Sequence, residues 1–307
     1  FITITMKLSI IICTYNRAKY IRPLLDSIVA NDLPKRDYEI ILVDNNCTDN
    51  TRDICCTFAS DHADVMFRYT IEPQQGLSAA RNKGIKEATG DILVYIDDDA
   101  VVDTWYLRTI TEYMDKNHDC MACGGPIIPL YETEEPKWMS HWTKELLTAY
   151  MYFGDKERVY PGERYPGGGN AAYRAQVFKE VGLFNTDLGR KGDSLMGAEE
   201  KDIFDKMRAK AWRPIYLPQM ILHHIIPQKK LEQDYFDRLT LQMGKSERQR
   251  TLAISKSKYA TRLLKEGIKW GGTIVLWFYF LLILQPQKGN KLISFRANVT
   301  RGLLGME

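Results

Sequence analysis

Three short runs, Leu8 to Cys13, Tyr38 to Asp44 and Ile92 to Ile96, are almost unbroken series of Ile, Leu and Val, and they limit the possible folds more than any other feature of this chain. A strand with one wet face alternates apolar and polar residues, whereas one that is apolar throughout is covered on both faces, usually by crossover helices. Helix patterns fall where such crossovers belong, at about Tyr20 to Asn31, Thr51 to Ala59 and Ser78 to Ala88, with a further strand at Val65 to Ile71. The pattern predicts an α/β fold on a Rossmann-like, doubly wound sheet.

Ligands of such sheets sit beyond the carboxyl ends of the strands. Those ends are strongly polar here: Thr14-Tyr15-Asn16-Arg17, Asp44-Asn45-Asn46 and Asp97-Asp98-Asp99. Each alone reads equally well as a turn or a helix cap. Three at one sheet edge point instead to a binding crevice.

Adjacent carboxylates repel one another unless a cation or a solvated turn absorbs their charge. If the backbone stays extended, Asp97 and Asp99 share a face. Hard oxygen ligands of this kind suit Mg²⁺ or Mn²⁺, which bind through one or two carboxylates plus substrate phosphates. Asp44, with Thr14 and Asn16 beside it, offers acceptors for a base or a ribose, so the edge suits a nucleotide. Neither a P-loop nor a G-x-G-x-x-G follows the first strand, which argues against a P-loop enzyme and a dinucleotide dehydrogenase. Gly76 to Gly84 opens a helix whose first turn can meet an anion; its Arg81 is a phosphate ligand or one half of a structural ion pair. Glu199 and Glu200 open a later helix, where the macrodipole favours acids in any case; the functional reading is a general base. His223 and His224 follow a strand-like Ile215 to Leu222, and either is a candidate metal ligand or a structural histidine.

The second half is less regular. A Trp- and Tyr-rich stretch precedes Pro166-Gly167-Gly168-Gly169-Asn170, Ala171 to Val181 reads as a helix, and from about Leu231 the chain is basic and helical, with an uncharged run from Trp270 to Leu284. About 15 residues fall short of the roughly 20 of a spanning helix, so the run reads as an interfacial segment flanked by Lys256, Lys258, Arg262, Lys265 and Lys269, or as a buried helix. Six cysteines without framework spacing read as reduced thiols, and Cys120-Met-Ala-Cys123 as core rather than metal site. The residues before Met6, a plausible start, lack signal-peptide character, so the expected location is the cytoplasm, peripheral on the inner face of the cell membrane. A net charge of +3, small beside many charges of both signs, does not call for nucleic acid.

Taken in order, Ser9 to Arg17, Val43 to Thr51, Gly76 to Gly84, Asp97 to Asp99, Gly169 to Arg174, Val181 to Phe184 and Glu199 to Asp202 resemble the family 2 glycosyltransferases, and the resemblance spans about Lys7 to Ser246. It implies the GT-A form of the fold, with a mixed sheet, and an inverting transfer of sugar from a nucleotide carrier. On that basis the nucleotide-binding set is Thr14, Tyr15, Asn16, Arg17, Asp44, Asn46, Gly76, Ala79, Arg81, Asp97 and Asp98. The divalent cation, Mn²⁺ or Mg²⁺, falls to Asp99, Asp97 and His224. Glu200 is the expected base with Glu199 second, where many relatives carry an Asp one methylene shorter. Trp138, Gly168, Gly169 and Asn170 are the acceptor side. The division expected is 1–230 catalytic, with a nucleotide-sugar half at 7–125 and an acceptor half at 126–230, followed by a membrane-associating helical tail at 231–307. The expected partners are a nucleotide sugar, most often a UDP-sugar, a glycan or lipid-linked acceptor, and a membrane surface. The competing reading is a catalytically silent nucleotide-sugar-binding or scaffold subunit.

Overall fold

The computed structural model describes residues 7–188 and 199–306; Met6 and the Gly192 to Ala198 approach to the later helix lie outside them. In chain order the elements are β1 (Leu8–Thr14), α1 (Ala18–Val29), β2 (Tyr38–Asp44), α2 (Thr51–Asp61), β3 (Met66–Ile71), α3 (Leu77–Glu87), β4 (Ile92–Ile96), β5 (Ala100–Val102), α4 (Tyr106–Lys116), β6 (Ala122–Gly124) and β7 (Ile127–Tyr131). There follow α5 (His141–Thr148), β8 (Arg158–Val159), β9 (Asn170–Arg174), α6 (Ala175–Val181), α7 (Glu199–Ala209), β10 (Ile215–Tyr216), β11 (Leu222–Ile226), α8 (Gln233–Ile254), α9 (Lys256–Leu282) and α10 (Pro286–Leu304).

The main sheet has the order β3-β2-β1-β4-β9-β6-β10-β8. Its β3, β2, β1 and β4 run parallel, while β9 enters antiparallel between β4 and β6. Side-chain alternation divides the apolar runs between two cores: Ile10, Ile12, Ile40, Leu42 and Val94 face one with α1, α2 and α4, and Ile11, Ile41, Val43, Leu93 and Tyr95 face the other with α6 and α7. That is why these strands carry almost no polar residue. The chain moves outward from β1 to β3 and then returns to the far side of β1, so the switch point lies between β1 and β4. A second sheet, β5-β11-β7, follows the triple aspartate directly.

Two stretches differ from the sequence reading. Asn170–Arg174 is a strand and only Ala175–Val181 a helix. Two alanines favour helix locally, but this segment fills the gap between the edges of β4 and β6, with Ala172 entering one core and Ala171 and Tyr173 the other. Ile215 to Leu222 is likewise not one strand: it breaks after Tyr216 and resumes at Leu222, so His223 and His224 lie inside β11.

Two compact units emerge: one runs to Leu130 and resumes over Met151–Ile225, and the other comprises Tyr131–Tyr150 with everything from Ile226. Residues 131–150, which the sequence division kept with the catalytic part, therefore pack with the C-terminal helices, because Met139 and Leu147 bury against Phe236. In this helical unit Gly244 and Gly302 let the backbones of α8 and α10 touch, since a Cβ at either would strike the other helix. Glu266 is buried on α9 between Arg262 and Arg296, at 2.7 and 2.8 Å. Among the described residues no helix is long and apolar enough to cross a membrane, yet α9 and its end present Ile268, Leu282 and Leu284 at 77, 83 and 87% exposure. All six cysteines are free thiols.

Candidate functional site

The in-register pairing of β1 and β2 sets Thr14 beside Asp44. Both are buried. Asp44 accepts the backbone N–H of Cys47 at 2.6 Å and the Tyr69 hydroxyl, which fixes its carboxylate. Asn16 and Asn46 take left-handed backbone, φ 53° and 71°, a conformation Asn tolerates better than most residues. The Asn16 amide oxygen accepts the Thr48 N–H at 2.7 Å, tying the loop after β1 to the loop after β2, while Asn46 donates to the Pro73 carbonyl at 3.0 Å. Tyr15 stands exposed at this edge.

Asn45, which sequence reasoning passed over, is the organiser of this edge. Buried, it donates to the carbonyls of Glu72 and Gln74, both at 2.8 Å, and accepts the Gly76 N–H at 2.8 Å. Gly76 has φ 138°, a backbone that other residues seldom adopt, and it turns the chain into α3, whose first turns bury Ala79 and Arg81. An Asn between Asp44 and Asn46 in a strand-end motif was the available signal; its burial was not readable.

At the end of β4 the strand stops at Ile96, and Asp98 and Asp99 occupy a turn before β5. The alternation argument for Asp97 and Asp99 therefore does not apply. Asp97 is exposed, with its N–H donating to the Gly169 carbonyl at 3.3 Å. Asp99 is buried; its Oδ2 lies 2.6 Å from Arg17 Nη1 and 3.4 Å from His224 Nε2. The antiparallel register that pairs His224 with Ala100 brings this imidazole in, while His223 meets Asp103 at 2.9 Å. Burial opposes the Arg17 charge, but Asp98 and Asp99 overcome it and hold the guanidinium protonated above its ordinary value. Asp98 is pushed up, by burial first and by the charges of Asp99 and Asp97 as well, against the pull of Arg17.

Arg81, on the second turn of α3, is buried, and its Nη1 lies 2.8 Å from Oε1 of both Glu199 and Glu200. Its guanidinium packs 5.4 Å from the Phe184 ring and 5.9 Å from Tyr95. Burial again opposes the charge, and Glu200 and Glu199 outweigh it. Both glutamates open α7, where the helix dipole adds to their stabilisation. Glu199 is fully buried, whereas the Glu200 side chain keeps 19% of its surface. The glycine run explains itself at this point: a Cβ on Gly168 would run into the Glu200 carboxylate and the Arg81 guanidinium, and one on Gly169 into the carboxylate of Asp97. Glu200 and Asp97 thus lie against successive backbone positions.

Asn170 and Trp138 make contacts of another kind. Asn170 is fully buried; it accepts the Tyr106 hydroxyl at 2.8 Å and donates to the carbonyls of Pro126 and Met220, so it ties β9 into the core. Trp138 belongs to the helical unit, packed edge-on against Phe236 with the Lys291 ammonium 4.2 Å from its ring.

Asp97, Asp99 and His224 do not form a ready-made metal cage: among the described residues no three His, Cys, Asp or Glu converge as one. The donors nonetheless fit a hard divalent ion. Two carboxylates and an imidazole leave positions for phosphate oxygens, and the Arg17 guanidinium stands on Asp99 as a cation would.

The profile of Glycosyl transferase family 2 matches residues 9–182, from β1 through α6. The glucosyl-dolichyl phosphate glucuronosyltransferase of Haloferax volcanii is 28% identical over 253 residues, which is 79% of this chain and 77% of that protein. Among solved structures, the mannosyltransferase PcManGT from Pyrobaculum calidifontis in complex with GDP-Man and Mn²⁺ superposes at a TM-score of 0.63 and 18% identity, covering 99% of this chain and 89% of that one. TarS 1–349 of S. aureus in complex with UDP superposes at 0.52 and 17% identity, covering 98 and 92%. At these identities the two structures speak for the fold, the GT-A form.

Proposed function

The chain belongs to glycosyl transferase family 2, and from that premise we propose that it moves a sugar from a nucleoside diphosphate carrier to an acceptor hydroxyl by a single displacement with inversion. The observation that carries this reading is the pair of carboxylates, Asp97 and Glu200, lying against the adjacent glycines 169 and 168. Donor pole and base then both border the glycine run.

In this reading Asp44, Thr14 and Tyr15 receive the base and ribose, with Asn16, Asn45, Asn46 and Gly76 holding their loops in shape. Asp99, with Asp97 and His224, would hold Mn²⁺ or Mg²⁺, whose chemistry is to neutralise the departing diphosphate. Glu200 takes the proton from the acceptor hydroxyl. Its partial exposure supports it over Glu199, which anchors Arg81 from inside. Arg81 in turn holds the Glu200 carboxylate in place. The side-chain-free wall at Gly168 and Gly169 lets the reacting sugar approach backbone closely.

A UDP-sugar is the donor we favour, in line with the UDP complex of TarS, although PcManGT was solved with GDP-Man. The glucosyl-dolichyl phosphate in the name of the H. volcanii relative supports a lipid-linked acceptor. Such an acceptor makes membrane docking useful, and the exposed apolar residues of α9 beside exposed Lys265 and Lys269 support a peripheral position on the inner face of the cell membrane. Thermal-shift screening of nucleoside diphosphates and nucleotide sugars with Mn²⁺ tests the donor side, because only a ligand of the native state raises the melting point. Selective stabilisation by one base is expected, and none by any nucleotide contradicts the proposal.

A further inference from the structure

Two arginines face the carboxylates of the sheet edge, and they are held differently. Arg81 is enclosed under two rings and between two glutamates, with 4% of its side chain exposed. Arg17 keeps 35% exposed, sits on the loop before α1, and reaches across the switch point to a carboxylate that is itself 7% exposed. A buried carboxylate without a counter-charge is costly, so Asp99 always needs a cation. The half-exposed arginine can leave without disturbing the core; the enclosed one cannot.

We propose that Arg17 is an exchangeable placeholder: it holds Asp99 until a divalent ion takes that carboxylate, and it then turns to the phosphate oxygens of the incoming donor, so that metal and nucleotide bind as a pair. The inference rests on the proposed divalent site at Asp99. The exchange leaves no carboxylate unpaired, since the ion replaces the guanidinium on Asp99, and the planar fork of arginine matches phosphate at least as well as carboxylate. Arg17 is in this sense a positioning residue that sets the order of binding. It also weakens Mn²⁺ binding at the edge while no donor is present.

The test is Mn²⁺ titration followed by electron paramagnetic resonance, on the full chain and on Arg17→Met, with and without UDP. Without UDP, Arg17→Met should bind Mn²⁺ about fivefold more tightly than the parent, having lost its competitor. With Mn²⁺ saturating, it should hold UDP about tenfold less tightly. A role in structure alone moves both affinities downward together, so unchanged or weaker Mn²⁺ binding by Arg17→Met overturns the inference. Arg17→Lys, which keeps the charge and disturbs the fold least, should fall between the two proteins in both titrations, and a Lys variant with weaker Mn²⁺ binding than the parent also overturns it. If no protein binds Mn²⁺ even with a nucleoside diphosphate, the divalent site itself is wrong, and the placeholder falls with it.

Discussion

Two clusters of ion pairs, one in each compact unit, use the same residue types to opposite ends. In the helical unit Glu247 and Glu266 are answered by three arginines, Arg250, Arg262 and Arg296, with contacts of 2.7 to 3.1 Å. Both acids there are paired, and the cluster joins α8, α9 and α10. In the sheet unit Arg81 answers Glu199 and Glu200, and Arg17 answers Asp99 with Asp97 and Asp98 beside it, so two arginines face five acids. The helical cluster leaves no acid over; the sheet-edge cluster keeps a negative surplus that a metal ion or a proton can answer. The sign of the surplus charge, more than burial, separates the structural cluster from the one suited to chemistry.

The largest effect expected is in the helical unit. Glu266→Ala leaves Arg262 and Arg296 without their shared acid and should cost about 3 kcal/mol in urea unfolding; a loss below about 1 kcal/mol would mean that the cluster is decoration. Next comes Gly168→Ala, whose new Cβ displaces the Glu200 carboxylate. A misplacement of about 1 Å should lower kcat about a hundredfold, while the melting point stays within a few degrees. If kcat is unchanged, Glu200 is not the base.

Acid should separate the two clusters as well. Burial alone would raise the Glu266 carboxyl, but hydrogen bonds and charge from Arg296 and Arg262 hold it below the ordinary carboxylate value. A lowered folded-state value stabilises fully above the unfolded value of about 4.3 and is lost as pH falls through the folded one. Glu266→Gln should therefore remove part of the acid sensitivity of unfolding below about pH 4, which a pH series of denaturation curves will show. The smallest effect concerns the exposed face of α9: Leu282→Glu should weaken flotation with anionic vesicles severalfold and leave unfolding within about 0.5 kcal/mol.

Sequence patterns are legible where one segment settles its own environment. The strands β1, β2 and β4 are apolar because both faces are covered, and their polar ends had to lie at one edge; both facts could be read locally. Contacts between distant segments could not. Arg81 meets Glu199, 118 residues away, and nothing near either announces the other. β9 has a helix-favouring local sequence and is a strand because two strand edges await it. Asn170 looked like a site residue for its place beside three glycines, yet its amide serves Tyr106 and two carbonyls of the core. Trp138, expected on the acceptor side, has its ring against Phe236 and Lys291 in the helical unit.

The negative surplus at the sheet edge is the centre of the account, and Glu200→Gln tests it most directly, because it removes one charge and the base function while preserving shape. Donor affinity and nucleoside diphosphate release should be measured side by side, with Mn²⁺ and the nucleotide sugar that stabilises the parent protein. The account predicts an unchanged donor Kd and a release rate lower by at least about a hundredfold. Release at the parent rate would contradict it, and so would a parent protein that binds the donor tightly, releases nothing with any acceptor, and behaves as a silent subunit.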